Sequence, residues 1–423
     1  METAQQKQAL KFNSFDWGWL VISFGMALGA GIVLVPVSVG VVGLVAFLWV
    51  ALWAYPAIYL FQKLYMNTLF ENDTAKCYSD TIADLIGKKW GSFLGVLYFV
   101  MMAIWTIIYG MLVCSSIAHY LYQFHIVSDP NLLSNALFTF VVMSILVFVG
   151  CKSEKLLFKI SGVVSVLLLA CVLLAAIMVL PYWKFSNVTY IPQGLKFITS
   201  TTVMFPFALT TILFIQSLSP MVMSYRTKYA DRQVAQKKAI STMRLALFIL
   251  ATIVLFYIVA FAGIISQSEA ILAKNQNESV FAIIQKMNYS NPLINVLGIF
   301  INICAVLAAF LSIITGMREG VRGILLNLIR GIGKDGAIVK SPVFEVIIGV
   351  IIVLMTWLSI VFQVPIYKLV PLCGPIFGII GCLMPALLVY KVPALHKYKG
   401  LTVYYIVYVG IILCISPLLM KAM

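Results

Sequence analysis

Long apolar runs separated by short polar connections set the pattern of this chain from residue 17 to residue 420. Each run reaches about 20 residues, the length a helix needs to cross the hydrocarbon core of a bilayer. Eleven spans are predicted: 17–37, 41–69, 91–122, 132–151, 158–181, 197–225, 240–265, 292–317, 343–362, 366–390 and 401–420. Hydrophilic connections at 71–90 and 226–244 interrupt the pattern, and the polar stretch within 266–291 is predicted to form a short surface helix. Residues 1–14 read as a polar cytoplasmic tail. The first apolar run outlasts a signal peptide's core of ~7–15 residues, so it reads as a first span and not as a cleaved leader.

Basic residues set the orientation, because cytoplasmic loops collect Lys and Arg. With the N-terminus inside, 23 of the 29 basic residues fall on cytoplasmic segments and only Lys184, Lys196, Lys274, Lys286, Lys368 and Lys421 fall outside. A miscounted span would reverse every later loop and destroy that bias. The expected arrangement is N-terminus cytoplasmic and C-terminus on the far side, in a bacterial inner membrane.

Composition agrees. Apolar residues make up 62% of the 423, charged residues 10%, and the mean hydropathy is +1.04; a soluble domain carries roughly 25% charged residues. The net charge of +15 follows the cytoplasmic loops, so it gives no reason to invoke nucleic acid. The eight cysteines are scattered with no CxxC pair, the distribution of small hydrophobes and not of metal ligands. No HExxH, Walker A or GxSxG motif occurs, so nothing points to an enzyme. The basic 226–244 segment reads as an interfacial anchor beside anionic lipid.

Helix breakers at membrane depth carry the functional signal, since irregular backbone there is tolerated only around a cavity or inside protein. Gly25, Gly29, Ala30 and Gly31 lie in mid-span of the first run. If the helix opens there, the N–H groups from Ala30 to Val33 begin a second half-helix that favours a carboxylate. The carbonyls from Gly25 to Leu28 would face an ammonium group or a coupling cation. The alternative is a GxxxG packing face formed by Gly25 and Gly29. The sixth run contains Pro206 and then Gln216, Ser217, Ser219 and Pro220, where Ser219 and Pro220 have the N-cap and N1 pattern of a helix start. Its alternative is an ordinary proline kink. Breaks in the first and sixth spans are corresponding positions of two five-helix halves, and an odd number of spans makes the second half inverted. The fold class is therefore an all-α membrane protein with a five-plus-five inverted repeat of LeuT-like type. The halves are 15–181 and 197–390, and an extra helix follows at 401–420.

These motifs resemble the hydroxy/aromatic amino acid permease family of the amino acid–polyamine–organocation superfamily. The resemblance runs from about residue 15 to the C-terminus. It rests on Gly25 to Gly31 with Pro36, Leu218 to Tyr225, Met317-Arg-Glu-Gly320, Cys373 to Gly378, and Lys391 to Gly400. The later motifs are more similar to its serine, threonine and cysteine permeases than to its tryptophan and tyrosine permeases. The resemblance implies alternating access and cation-coupled import of a small neutral amino acid. It implies no cofactor and no obligatory protein partner. The implied coupling ion is the proton; sodium stays open, because Ala308-Ala-Phe-Leu311 stands where better-known members carry Lys-Ser before Phe-Leu. An aromatic amino acid permease and a non-transporting membrane sensor remain the alternatives.

Polar residues in mid-span are the remaining candidates. Ser23, Thr106, Tyr109 and Asn302 join the residues around the breaks as candidate substrate contacts, suited to a ligand bearing a hydroxyl or thiol. Each could equally make an interhelical hydrogen bond worth ~0.6 kcal/mol. Asp16, Ser312, Thr315, Arg318 and Glu319 are candidate coupling or gating residues, and the charged ones could instead be caps or snorkelling anchors.

Overall fold

The computed structural model describes residues 10–72, 78–129, 131–152, 154–287, 292–331 and 342–420. The described residues form helices and no strands. In chain order these are α1 (Ser14–Ala27), α2 (Ala30–Val42), α3 (Leu44–Glu71), α4 (Tyr78–Ile86), α5 (Lys88–Gln123), α6 (Ala136–Lys152) and α7 (Glu154–Val179). Then come α8 (Leu195–Ile212), α9 (Ile215–Lys228), α10 (Arg232–Ala262), α11 (Gln267–Asn275), α12 (Val280–Lys286) and α13 (Pro292–Gly331). The last are α14 (Pro342–Val361), α15 (Ile366–Phe377), α16 (Met384–Lys391) and α17 (Leu401–Met420). Among the described residues nine helices are long and apolar enough to cross a membrane, and the bent pair α1–α2 makes a tenth. The fourth predicted span falls on the shorter α6, so the expected count of eleven is not reached by length alone.

Burial, and not apolarity, marks the core, since an apolar helix in a bilayer can face either lipid or protein. In α2 Ile32, Val33, Val35, Val37 and Val39 are fully buried. The α8–α9 segment is 78% buried, against 33% for α14 and α17, so the sixth span is central and these two face lipid. Pro36 removes the donor that would serve the Ile32 carbonyl. The Tyr257 hydroxyl of α10 replaces it at 2.9 Å.

Helices α15 and α17 approach closely through glycine. A Cβ on Gly378 would sit 2.7 Å from the Gly410 carbonyl oxygen, and one on Gly374 would sit 2.8 Å from that of Leu413. Between α15 and α16 the chain passes through a π-helical turn at Gly378–Leu383. The Cys373 to Gly378 motif is thus a packing seam.

Two connections differ from expectation. Within 266–287 the chain forms two helices, α11 and α12, each with a buried face: Ala270, Ala273, Val280 and Phe281 are buried. Helix α11 lies on α2, where a Cβ on Gly40 would come within 2.6 Å of the Ala270 Cβ. The 226–244 segment is only partly a surface, with Lys228, Lys237 and Arg244 exposed and Lys238 enclosed. It is the end of α9 and the first turns of α10, with Asp231 as N-cap, and Lys238 within it is only 3% exposed. Its partner explains the burial, as described next.

Candidate functional site at the broken helices

The first span breaks where its glycines concentrate. Helix α1 ends at Ala27, Leu28 turns to an extended conformation (φ −78°, ψ 94°), and Gly29 is the N-cap of α2. The two halves meet at 48°. Glycine costs roughly 1 kcal/mol against alanine inside a helix, so this stretch is the weakest of the span. By helix geometry the last carbonyls of α1 and the first N–H groups of α2 have no partner within their own helices.

Close packing holds the break. A Cβ on Gly29 would collide with the Tyr109 hydroxyl of α5 and come within 3.2 Å of the Ala309 Cβ of α13. On Gly31 it would collide with the Thr210 carbonyl and sit 2.7 Å from the Thr211 Cα, both in α8. The break in the first span therefore lies against the C-terminal end of α8, beside the break in the sixth.

That second break corrects the expected one. It falls at Leu213–Phe214, with Phe214 (φ −135°, ψ 37°) as N-cap, and Ser219 and Pro220 lie inside α9. Ser219 caps nothing; its hydroxyl bonds that of Tyr65 at 3.0 Å. Pro220 is tolerated because it is only the sixth residue of α9 and removes a single bond near the helix start. Neither Leu213 nor Phe214 is a helix breaker, so the site of interruption was not readable from residue type.

Of the predicted contacts, Gly29, Gly31 and Tyr109 meet at the break, and Gln216 lies in the first turn of α9. Ala30 opens α2 and Gly25 lies in the last turn of α1; the Ala30 side chain is outside the described residues. Three hydroxyls turn back on their own helices: Ser23 to the Trp19 carbonyl, Thr106 to that of Met102 and Ser217 to that of Phe214. Asn302 is elsewhere. It donates to Ser116 and Tyr120 at 3.0 and 3.1 Å, one helix turn-pair away from the level of Tyr109 and Ala309. Two residues that sequence reasoning missed lie at the second break: the Tyr55 hydroxyl bonds Thr211 Oγ1 at 3.0 Å.

At the opposite end of α1 stands a buried ion pair. Asp16 accepts from its own capping partner, the Asn13 N–H, at 2.7 Å, from the Tyr225 hydroxyl at 2.6 Å and from Lys238 Nζ at 2.8 Å. Both charged side chains are almost wholly enclosed, at 1% and 2% exposure. Tyr225 also bonds Thr242, so α1, α9 and α10 are joined at one point. Lys238 was missed because its segment reads as uniformly basic. Arg318 of α13 pairs with Glu345 of α14 at 2.8 Å, beside Arg322 at 3.2 Å, and ties two neighbouring helices. The side chains of Ser312, Thr315 and Glu319 are outside the described residues, although their backbones belong to α13. Among the described residues no cluster of His, Cys, Asp and Glu suits a metal.

The chain is similar over nearly its whole length to proteins of known name. It is 42% identical over 422 residues to the serine transporter of Escherichia coli O157:H7, covering 99% of this chain and 95% of that one. It is 23% identical over 394 residues to the serine transporter SdaC of Escherichia coli K12, covering 91% and 90%. With the threonine/serine transporter TdcC of Edwardsiella tarda it shares 24% over 436 residues, covering 97% and 96%. No family model matches. Among solved structures, MhsT in complex with L-phenylalanine aligns over 96% of this chain and 97% of its own at a TM-score of 0.56 and 15% identity. Mhp1, a nucleobase-cation-symport-1 family transporter in a closed conformation, aligns over 96% and 92% at 0.60 and 13%. Both share the all-helical, LeuT-like fold of this chain. The chain belongs to the hydroxy/aromatic amino acid permease family, in the branch that holds these serine and threonine transporters.

Proposed function

We propose that this protein imports serine, or a similar small hydroxyl-bearing amino acid such as threonine, across a bacterial inner membrane by proton-coupled alternating access. The observation that carries the reading is the opened first span against α8. The N–H groups at Ala30 and Gly31 suit a carboxylate, and the carbonyl ends of α1 and α8 suit an ammonium group. Tyr109, Tyr55 and Thr211 are polar side chains at the two breaks, and one of them would meet the substrate hydroxyl. A site built to pair a hydroxyl rejects the analogue that lacks it. Support for serine in particular comes from the named relatives.

In this reading the halves are 15–181 and 197–390, with 401–420 outside them and the N-terminus cytoplasmic. The Asp16–Lys238 pair closes the cytoplasmic side; Ser312, Thr315 and Glu319 lie along the inner half of α13 as further gating candidates. Proteoliposomes containing the purified protein test this directly. Labelled serine and threonine should accumulate under an imposed inward proton gradient, and alanine and tryptophan should compete poorly. Equal competition by alanine, or accumulation of tryptophan in preference, would replace the proposed substrate class.

A further inference from the structure

A second polar site lies away from the breaks. It is a pocket of ≈ 30 Å³, lined by Ser115, Ser116 and His119 of α5, Glu278 and Ser279 of the α11–α12 hairpin, and Asn302 of α13. That is room for about one water molecule and far too little for an amino acid. Asn302 is 4% exposed. Its amide nitrogen is used twice, on Ser116 and Tyr120, while its Oδ1 is buried with no hydrogen-bond partner among the described residues. A buried acceptor left alone costs about 1–3 kcal/mol, so this one calls for a donor.

The backbone fixes the carboxylate's place. Asn277, in the left-handed region (φ 55°), ends α11 with a Schellman pair of bonds: Glu278 N–H to the Ala273 carbonyl at 2.8 Å and Asn277 N–H to that of Lys274 at 3.3 Å. Tyr367 of α15 then holds the Glu278 carbonyl at 2.7 Å, and the Ile366 N–H holds Asn277 Oδ1 at 3.1 Å. Glu278 is thereby presented to α5 and α13 at the end of the bundle where α11 and α12 cover α2. Among the described residues, the titratable groups lining the pocket are His119 and Glu278. The flanking elements also carry Lys274 of α11 and Lys368 of α15; burial and then Lys368 push the Lys274 ammonium below its ordinary range.

We propose that this pocket is the loading site of the coupling proton, held between His119 and Glu278 by a water that donates to Asn302 Oδ1. The proton comes from the medium on the hairpin side and is released on the other side once the hairpin has moved; no bond other than O–H or N–H changes. The inference rests on the proton coupling proposed above.

Uptake and exchange in proteoliposomes separate the two. If the wild-type protein accumulates serine equally with and without an imposed pH gradient, the coupling reading fails before any variant is made. If the wild type is proton-driven, Glu278→Gln and His119→Gln are compared with it in two assays. Equilibrium exchange of labelled for unlabelled serine should stay within about threefold of wild type. Accumulation against the gradient should fall to background, and the pH dependence of uptake should flatten. Variants that accumulate with the wild-type pH profile overturn the proposal. Loss of exchange together with accumulation in both variants also overturns it, because it assigns the residues a structural role.

Discussion

The Tyr257 hydroxyl donates to the Ile32 carbonyl at 2.9 Å, filling the place of the N–H that Pro36 lacks. The bond lies in the buried centre of the protein, three residues from the break in the first span. Tyr257→Phe should leave the carbonyl unpaired and lower stability by about 1–3 kcal/mol. Adding Pro36→Ala should recover most of that loss, since alanine restores the helical donor. Thermal unfolding of the detergent-solubilised variants measures both, and a double variant no more stable than Tyr257→Phe would show that the two residues are independent.

Gly31→Ala should abolish transport, because its Cβ meets the Thr210 carbonyl and the Thr211 Cα, which are backbone and cannot step aside. Gly29→Ala should be milder, since the chief obstacle is the tip of the Tyr109 side chain. Removing that tip with Tyr109→Phe should partly relieve Gly29→Ala. Serine exchange rates of the three variants and the pair give the order directly; a Gly31→Ala protein as active as wild type would mean that α2 and α8 need not touch.

Asp16→Asn and Lys238→Met should each destabilise the protein by about 3–5 kcal/mol, because each leaves the other charge buried and alone. The double variant should lose much less than the sum. A cysteine placed on the cytoplasmic end of α1 should react faster with a water-soluble thiol reagent in either single variant. Unchanged reactivity would remove this pair from any role in closing that side.

Gly378→Ala should loosen α17 from α15, as its Cβ would meet the Gly410 carbonyl oxygen at 2.7 Å and Cys414 Sγ at 3.1 Å. The expected result is a lower unfolding temperature with exchange kinetics close to wild type in the protein that remains folded. A simultaneous loss of exchange in folded protein would instead place this seam in the transport cycle.

Residue type alone located the first break, because three glycines in seven residues mark a weak helix whatever packs around it. The second was legible only to within five residues. Leu213 and Phe214 are ordinary helix formers, and the close approach of Gly31 to Thr210 and Thr211 just before them is a long-range contact that no local pattern reveals. Lys238 was invisible for a related reason. Its neighbours Lys237 and Arg244 share its charge, and only the fold brings Asp16 to it across 222 positions of chain. Asn302 bonds Ser116 and Tyr120 away from the breaks, and sequence could not give that, since a polar residue in mid-span announces a partner without naming which one.

Helix α10 carries Lys238 near one end and Tyr257 about 28 Å further along. Through the first it grasps α1 and through the second α2, so one rod fastens both halves of the broken span. The fastenings differ in kind: one is an ionic clasp that dissolves when either charge is lost, the other a neutral hydroxyl indifferent to salt and acidity. Loss of a charge therefore removes a tie from α1 and leaves the tie on α2 intact, so the two halves of the broken span answer differently to acidity and salt.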